Sequence, residues 1–302
     1  MKAVVLHEYG GPEKLIYEDA PDPVVGRGEV LVRVAATSVN PIDYKMRTGH
    51  MKQYFPVQFP GILGRDLSGI VRSVGEGVTE FAPGDLVFAL TFKTYAELCV
   101  VKTTELATIP EGIDLVKAAA LPLVLLTGEQ MIRLGARLQS GQTVLITGAI
   151  GGVGRAAVWT AKDLGAHVIA GVRHKQLKEA ATLGADEVIA LDDDAALAKL
   201  GFVDAVADAV GGATGSKLLG KVKQGGVFAT VVGPPEGAAL HPTVTVRMVA
   251  CKPDPEQMLR LAEAVKAGTL VIPIDRMLPL AEAGDGQRAA EKGGIGKVLL
   301  LA

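Results

Sequence analysis

The sequence predicts an α/β protein with a doubly wound parallel sheet preceded by a β-rich region. Three observations carry this reading. Short β-branched runs parted by Gly/Pro turns fill the chain up to about residue 115. Apolar strands then alternate with helical stretches as far as Gly268. One of those strands, at 143–147, opens directly onto a glycine-rich loop and a helix.

In the first region the runs at 2–6, 30–34, 69–74 and 86–89 read as strands. Turns separate them: Tyr9-Gly-Gly-Pro12, Ala20-Pro-Asp-Pro23, Gly26-Arg-Gly28, Gly75-Glu-Gly77 and Pro83-Gly-Asp85. Many short strands with such turns point to a small barrel or sandwich. Cys99 falls in another strand-like run, 98–101, and reads as core.

In the second region 143–147, 167–172, 187–191, 203–207 and 227–232 read as strands. Near-continuous apolar strands are those of a parallel sheet covered on both faces. Helices are expected at 153–164, at 175–183 before Gly184, and at 254–266, where Asp254 and Pro255 suit a cap and first turn. In the last helix Met258, Leu261 and Val265 share a face and read as core. Cys251 reads as a strand end. Residues 297–301 are strand-like. The expected division is 1–116, 117–266 and 267–302.

Composition excludes several functions. The chain has 302 residues, 31 Lys and Arg against 33 Asp and Glu, and 49% hydrophobic residues. It is not a disordered chain, and the balanced charge argues against nucleic acid as its partner. No stretch reads as a membrane span. The opening MKAVVLHEYGG reaches His7 and Glu8 too soon for a signal peptide. The expectation is a cytoplasmic protein. Two cysteines cannot supply a disulfide scaffold or a four-thiolate zinc site. Glycine is abundant, 37 residues, and the excess needs a local reason.

One reason is Thr147-Gly-Ala-Ile-Gly-Gly-Val-Gly154. From Ala149 it reads A-x-G-G-V-G, a dinucleotide fingerprint with Ala in the first place. The chain must turn sharply and bring backbone N–H groups at a helix N-terminus to a pyrophosphate. Gly151 and Gly152 leave room for that approach, and Gly154 lets the helix pack on the strand. Ala149 and Val153 belong to the same loop. An NAD site wants an acid at the end of the next strand. Here that place holds Arg173, His174 and Lys175, with Lys178 close by. A guanidinium there suits a 2′-phosphate, which favours NADP.

Several segments together resemble the medium-chain dehydrogenase/reductase superfamily, and within it the zinc-free, zeta-crystallin-like quinone oxidoreductase group. They are Ser38-Val-Asn-Pro-Ile-Asp-Tyr-Lys45 with Arg47 and Gly49, 59–71, Tyr95-Ala-Glu97, Ala118-Ala-Ala-Leu-Pro122 with Thr127 and Gly128, and the fingerprint. Asp208-Ala-Val-Gly211, Gly225-Gly226 and Gly296-Lys-Val298 complete the set. The resemblance implies a GroES-like barrel, a Rossmann domain, a C-terminal return to the barrel and a homodimer. It also implies that Thr127, Val210 and Gly233 lie at the cofactor. Zinc-dependent members carry Gly-His-Glu and a ligating cysteine. Here the matching places read Gly64-Arg65-Asp66 and Asn40, so no metal is expected. The connections at 90–92 and 235–244 are shorter than usual.

Without a metal, a quinone or α,β-unsaturated carbonyl is the easier hydride acceptor, because the incoming charge delocalises onto a conjugated oxygen. Such a site needs hydrogen-bond donors and positioning. The resemblance puts Asn40 near the nicotinamide ribose or the substrate oxygen, with an Asn-Pro turn as the other reading. Tyr54 is the first candidate phenol, and Tyr44 and His50 are further donors. Asp66 beside Arg65 reads as a local ion pair or turn contact. No partner is evident for His7, His167 or His241. Two alternatives stay open: an enoyl-thioester or other activated double-bond reductase, with Lys45, Arg47 and Lys52 as cations for a carrier's phosphates, or a non-enzymatic NADPH-binding protein.

Overall fold

The protein is described by a computed structural model covering residues 1–294 and 296–302. By contact it forms two compact units. The first comprises Met1–Leu123, Pro253–Gly268 and Ile272–Ala302, and the second Val124–Lys252 and Thr269–Val271.

The first unit begins with β1 (Lys2–Leu6), β2 (Leu15–Asp19), β3 (Glu29–Val39), helix α1 (Pro41–Arg47), β4 (Gly61–Ile62), β5 (Asp66–Val74), β6 (Leu86–Leu90), β7 (Leu98–Lys102) and β8 (Leu106–Thr108). The turn at Gly75 is tight, since a Cβ there would sit 1.9 Å from the Gly26 carbonyl oxygen. Strand β3 is the spine. It pairs antiparallel with both β5 and β7, and Val30, Val32, Leu67, Val87 and Cys99 fill the core beneath it. Burial pushes the Cys99 thiol up to about 12, so it stays an inert core group.

The second unit carries the parallel sheet. Helix α2 (Pro122–Gln130) runs on into a π-helical turn at Met131–Ala136. Strand β9 (Thr143–Thr147), α3 (Gly152–Asp163), β10 (His167–Val172), α4 (Leu177–Ala180), β11 (Glu187–Ala190), α5 (Asp194–Lys199), β12 (Val203–Asp208), α6 (Gly212–Leu219), β13 (Val222–Thr230) and β14 (Thr245–Met248) follow. The order is β11-β10-β9-β12-β13-β14, all parallel. It reverses direction between β9 and β12, the doubly wound pattern. The helix expected over 175–183 is α-helical only at Leu177–Ala180, after a 3-10 turn at His174–Gln176. Cys251 lies beyond β14 and ends no strand.

The chain then returns to the first unit through α7 (Pro255–Lys266), β15 (Ile274–Pro279), α8 (Ala283–Glu291) and β16 (Lys297–Leu301). Asp254 caps α7 by accepting from the Gln257 N–H, with Pro255 in its first turn. Met258 and Leu261 are buried, and α7 lies beside β8. Its contacts therefore group it with the first unit, not with the sheet region to which 254–266 was expected to belong. Strand β16 pairs antiparallel with β3, extending the barrel sheet. His7 and His167, for which no partner was evident, bond Glu18 and Glu187 at 2.8 Å. Among the described residues, no helix is long and apolar enough to cross a membrane.

Candidate cofactor and active-site residues

The second unit gathers the nucleotide candidates at one end of its sheet. The fingerprint loop leaves β9 at Thr147 and enters α3 at Gly152. No side chain caps α3, so its first N–H groups are open to a ligand. Gly154 has a packing reason: a Cβ there would fall 2.2 Å from the Gly148 carbonyl oxygen. At Gly151 a Cβ would meet only that same oxygen, at 3.3 Å. At Gly152 it would press on Val124, at 3.0 Å, so that glycine serves packing within the protein. Gly128 lets α2 close on α3, since a Cβ there would lie 2.4 Å from the Val153 oxygen. Thr127, one residue earlier on α2, is buried.

Asp208, at the end of β12, ties three strand ends together. Its Oδ1 accepts from the Thr147 hydroxyl at 2.7 Å and from the Val210 and Gly211 N–H groups. Its Oδ2 faces the Thr230 hydroxyl of β13 at 3.5 Å. Thr147 Oγ1 in turn accepts the Ala209 N–H. The loops carrying Ala149, Val210 and Gly233 are thus held at the carboxyl ends of β9, β12 and β13, beside the reversal of strand order. Gly233 has a φ of 130°, which only glycine adopts readily. Arg155 locks the fingerprint by donating to the Ile150 carbonyl at 2.7 Å and to Glu179 at 2.6 Å. Sequence reasoning missed Asp208, Thr147 and Arg155 as positioning residues. Asp208 and Thr147 stand in segments that carry the resemblance, but nothing local in the sequence pairs them across the 61 positions between them.

At the end of β10, Arg173, His174, Lys175 and Lys178 are all exposed. The His174 N–H donates to Asp192 from the neighbouring strand end at 2.7 Å. The Gln176 side chain accepts the Arg173 N–H at 3.0 Å. Both bonds fix the backbone of the loop and leave its cationic side chains outward.

The first unit holds a buried polar cluster. Asn40 follows β3 and stands at the N-cap of α1, just before Pro41. Its Nδ2 donates to Asp66 Oδ2 at 2.8 Å and lies 3.3 Å from Ser38 Oγ. Its Oδ1 accepts from Lys297 Nζ at 2.6 Å. Lys297 also reaches the Val39 carbonyl and Asp66 Oδ2 at 3.3 and 3.4 Å. Asp66 Oδ1 accepts the Leu123 N–H at 2.7 Å. Asp66 is therefore not paired with Arg65: its cation is Lys297, brought in by β16. Arg65 turns away, donating to the Thr91 carbonyl and stacking on Phe92.

Asp43, on the first turn of α1, accepts from the Asn40 N–H at 2.8 Å and from the Tyr95 hydroxyl at 3.1 Å. Burial raises its carboxyl to about 7. Burial also pushes the Lys297 ammonium below the usual lysine range, against the pull of Asp66 and Asp43.

The three candidate catalytic side chains do not converge. Asn40 is 1% exposed and held within the cluster. Tyr54 is 75% exposed on the turn after α1. Tyr44 is half-buried on α1, and burial raises its hydroxyl, with the Glu291 and Asp43 charges adding to the effect. His50 bonds the Thr48 hydroxyl. Arg47 is a correction. It is buried and bonded to Glu291, so it offers no surface charge to a carrier's phosphate.

Residues 26–113 match the alcohol dehydrogenase GroES-like domain family, and residues 183–300 match the zinc-binding dehydrogenase family. The mitochondrial NAD(P)H oxidoreductase RTN4IP1 of Mus musculus is 32% identical, covering 97% of this chain and 87% of its own. The quinone oxidoreductase from Coxiella burnetii superposes with a TM-score of 0.89 at 29% identity, covering 100% of this chain and 99% of its own. Mycobacterial Rv1454c complexed with NADPH superposes with a TM-score of 0.87 at 28% identity, over 100% of both chains. With a GroES-like barrel, a doubly wound sheet and relatives matched over nearly its whole length, the chain belongs to the quinone oxidoreductase group of the medium-chain dehydrogenase/reductase superfamily.

Proposed function

We propose that this protein is an NADPH-dependent oxidoreductase that passes hydride to a quinone or α,β-unsaturated carbonyl without a metal ion. The observation that carries it is the cationic loop Arg173–Lys175, with Lys178, at the end of the strand next to an uncapped, glycine-led helix. That pairing suits a dinucleotide with an extra phosphate. The names of the relatives, NAD(P)H and quinone oxidoreductases, point the same way.

The helix α3 N–H groups hold the pyrophosphate in this reading, and Arg173 with Lys175 and Lys178 holds the 2′-phosphate. NADPH held there would supply the hydride and leave as NADP⁺, and one proton from solvent would complete the two-electron reduction of quinone to hydroquinone. Lys297 and Asp66 keep the Asn40 amide in a single orientation. An ammonium only donates and a carboxylate only accepts, so the amide cannot flip. Both its hydrogens face Asp66 and Ser38, which leaves one Oδ1 lone pair. Asn40 therefore suits a ribose hydroxyl better than a substrate oxygen. Tyr54 and Tyr44 are the phenols left to donate to that oxygen.

The donor set does not fit zinc. Asn40 and Asp66 are engaged with each other and with Lys297, and Cys99 lies in the barrel core. Among the described residues no three His, Cys, Asp or Glu side chains are placed to share an ion. A homodimer and a cytoplasmic location complete the reading. Strand β14 ends its sheet with one edge unpaired among the described residues, which suits pairing with a second copy.

The test is NADPH oxidation followed with ortho-quinones, para-quinones and 2-enals, with and without a chelator. Turnover that survives the chelator is expected. Tight NADPH binding with no turnover of any acceptor would overturn the enzymatic reading, and a metal requirement would overturn the metal-free one.

A further inference from the structure

Phe92 is 43% exposed. A lone exposed Phe needs no explanation, but this ring is fixed from several sides. The guanidinium carbon of Arg65 lies 3.9 Å from the Phe92 ring centroid. Arg65 is itself buried, and its Nε donates to the Thr91 carbonyl at 2.8 Å while the Thr91 N–H donates back to the Arg65 carbonyl at 2.8 Å. Glu105 accepts from the Thr91 hydroxyl at 2.6 Å. Lys93 follows with a φ of 64°, the left-handed region that a lysine rarely adopts. Phe55 leans on the same ring, with centroids 6.2 Å apart and planes at 42°.

The placement is also informative. Arg65 precedes Asp66, the residue that holds Asn40. Asp66 and Leu90 are register partners, and Phe92 stands two residues beyond Leu90. Arg65, whose guanidinium lies on the ring, is thus the chain neighbour of a residue in the polar cluster.

We propose that Arg65, Phe92 and Phe55 form a stacking platform for the ring of a planar conjugated acceptor, and so favour ring quinones over open-chain enones. This rests on the reductase reading above. A guanidinium under one face of a phenyl ring draws its π density down and leaves the outer face electron-poor. Such a face attracts a ring more strongly as that ring gains negative charge, which is what hydride arrival does to a quinone. The platform therefore favours the reduced, charged ring over the neutral one.

The experiment compares wild type, Phe92→Ala and Phe92→Tyr with 9,10-phenanthrenequinone, 1,4-naphthoquinone and trans-2-hexenal. Phe92→Ala is expected to lower the ratio of kcat/KM for either quinone over hexenal by roughly five- to tenfold, and Phe92→Tyr to restore it. An unchanged ratio would overturn the platform. A second readout needs no turnover: binding of phenanthrenequinone to the NADP⁺-saturated protein, measured by ligand-observed NMR. Binding that is lost in Phe92→Ala supports the platform even if no acceptor is reduced, in which case only the reductase reading fails. Binding indifferent to Phe92, or no binding to wild type, overturns the platform whatever the turnover.

Discussion

Lys297 Nζ donates to Asn40 Oδ1 at 2.6 Å, joining the last strand of the chain to the residue that opens α1. The same ammonium lies 3.4 Å from Asp66 Oδ2. Its removal would leave a buried carboxylate without its cation. Breaking one side of a buried pair costs about 3–5 kcal/mol, whereas removing both sides costs much less. Lys297→Met should therefore lower the denaturant midpoint sharply, and adding Asp66→Asn should recover most of the loss. A single variant as stable as wild type would show that the ammonium does not hold the cluster.

Asp43 makes the first unit sensitive to pH. Its carboxyl has a folded value of about 7 against an ordinary 3.8, because burial penalises the anion. A raised value means the folded state holds the proton more tightly. The stability this group contributes is full below about pH 4 and is lost as pH rises through 7. Asp43→Asn keeps an oxygen for the Asn40 N–H and cannot ionise. Unfolding midpoints at pH 5 and pH 8 check this. The variant should gain on wild type at pH 8 relative to pH 5, and an identical pH dependence in both proteins would refute the assignment.

Arg173 is exposed at the end of β10, with its backbone fixed by Gln176. A charge-assisted bond to a phosphate contributes about 1.5–3 kcal/mol. Arg173→Ala should therefore weaken NADPH by roughly tenfold or more while changing NADH little. Titration of both cofactors by fluorescence decides it. Equal losses for the two would mean that Arg173 does not meet the 2′-phosphate.

Much of this was readable in the sequence where the signal is local. Strands β9 and β10 begin and end where the apolar β-branched runs do, and Asp254 caps the helix it precedes. The cationic loop follows from three consecutive residues. The polar cluster was not readable, because its bonds join residues 257 and 231 positions apart. Nothing near Lys297 marks it as buried, and an adjacent Arg65 made a local partner for Asp66 look sufficient. Arg47 shows the same limit: its partner Glu291 lies 244 positions away. Helix α4 starts later than its pattern, after a 3-10 turn that holds His174, Lys175 and Gln176, where the helix dipole disfavours positive charge.

Two of the three fingerprint glycines, Gly151 and Gly154, separate packing from binding. At Gly154 a Cβ would collide with backbone, 2.2 Å from the Gly148 oxygen and 2.7 Å from Ala149 Cα. Neither neighbour can rotate away, so Gly154→Ala should cost stability, about 1–3 kcal/mol, along with cofactor affinity. At Gly151 the only neighbour is the Gly148 oxygen at 3.3 Å, and the backbone there is extended, at φ −74°. Alanine is tolerated in that conformation. Gly151→Ala should therefore unfold near the wild-type midpoint and still lose NADPH affinity, because the added methyl would stand where a phosphate must approach the uncapped N–H groups of α3. Midpoints and NADPH titrations on both variants test the distinction. If Gly151→Ala binds NADPH as well as wild type does, the pyrophosphate does not rest on this turn.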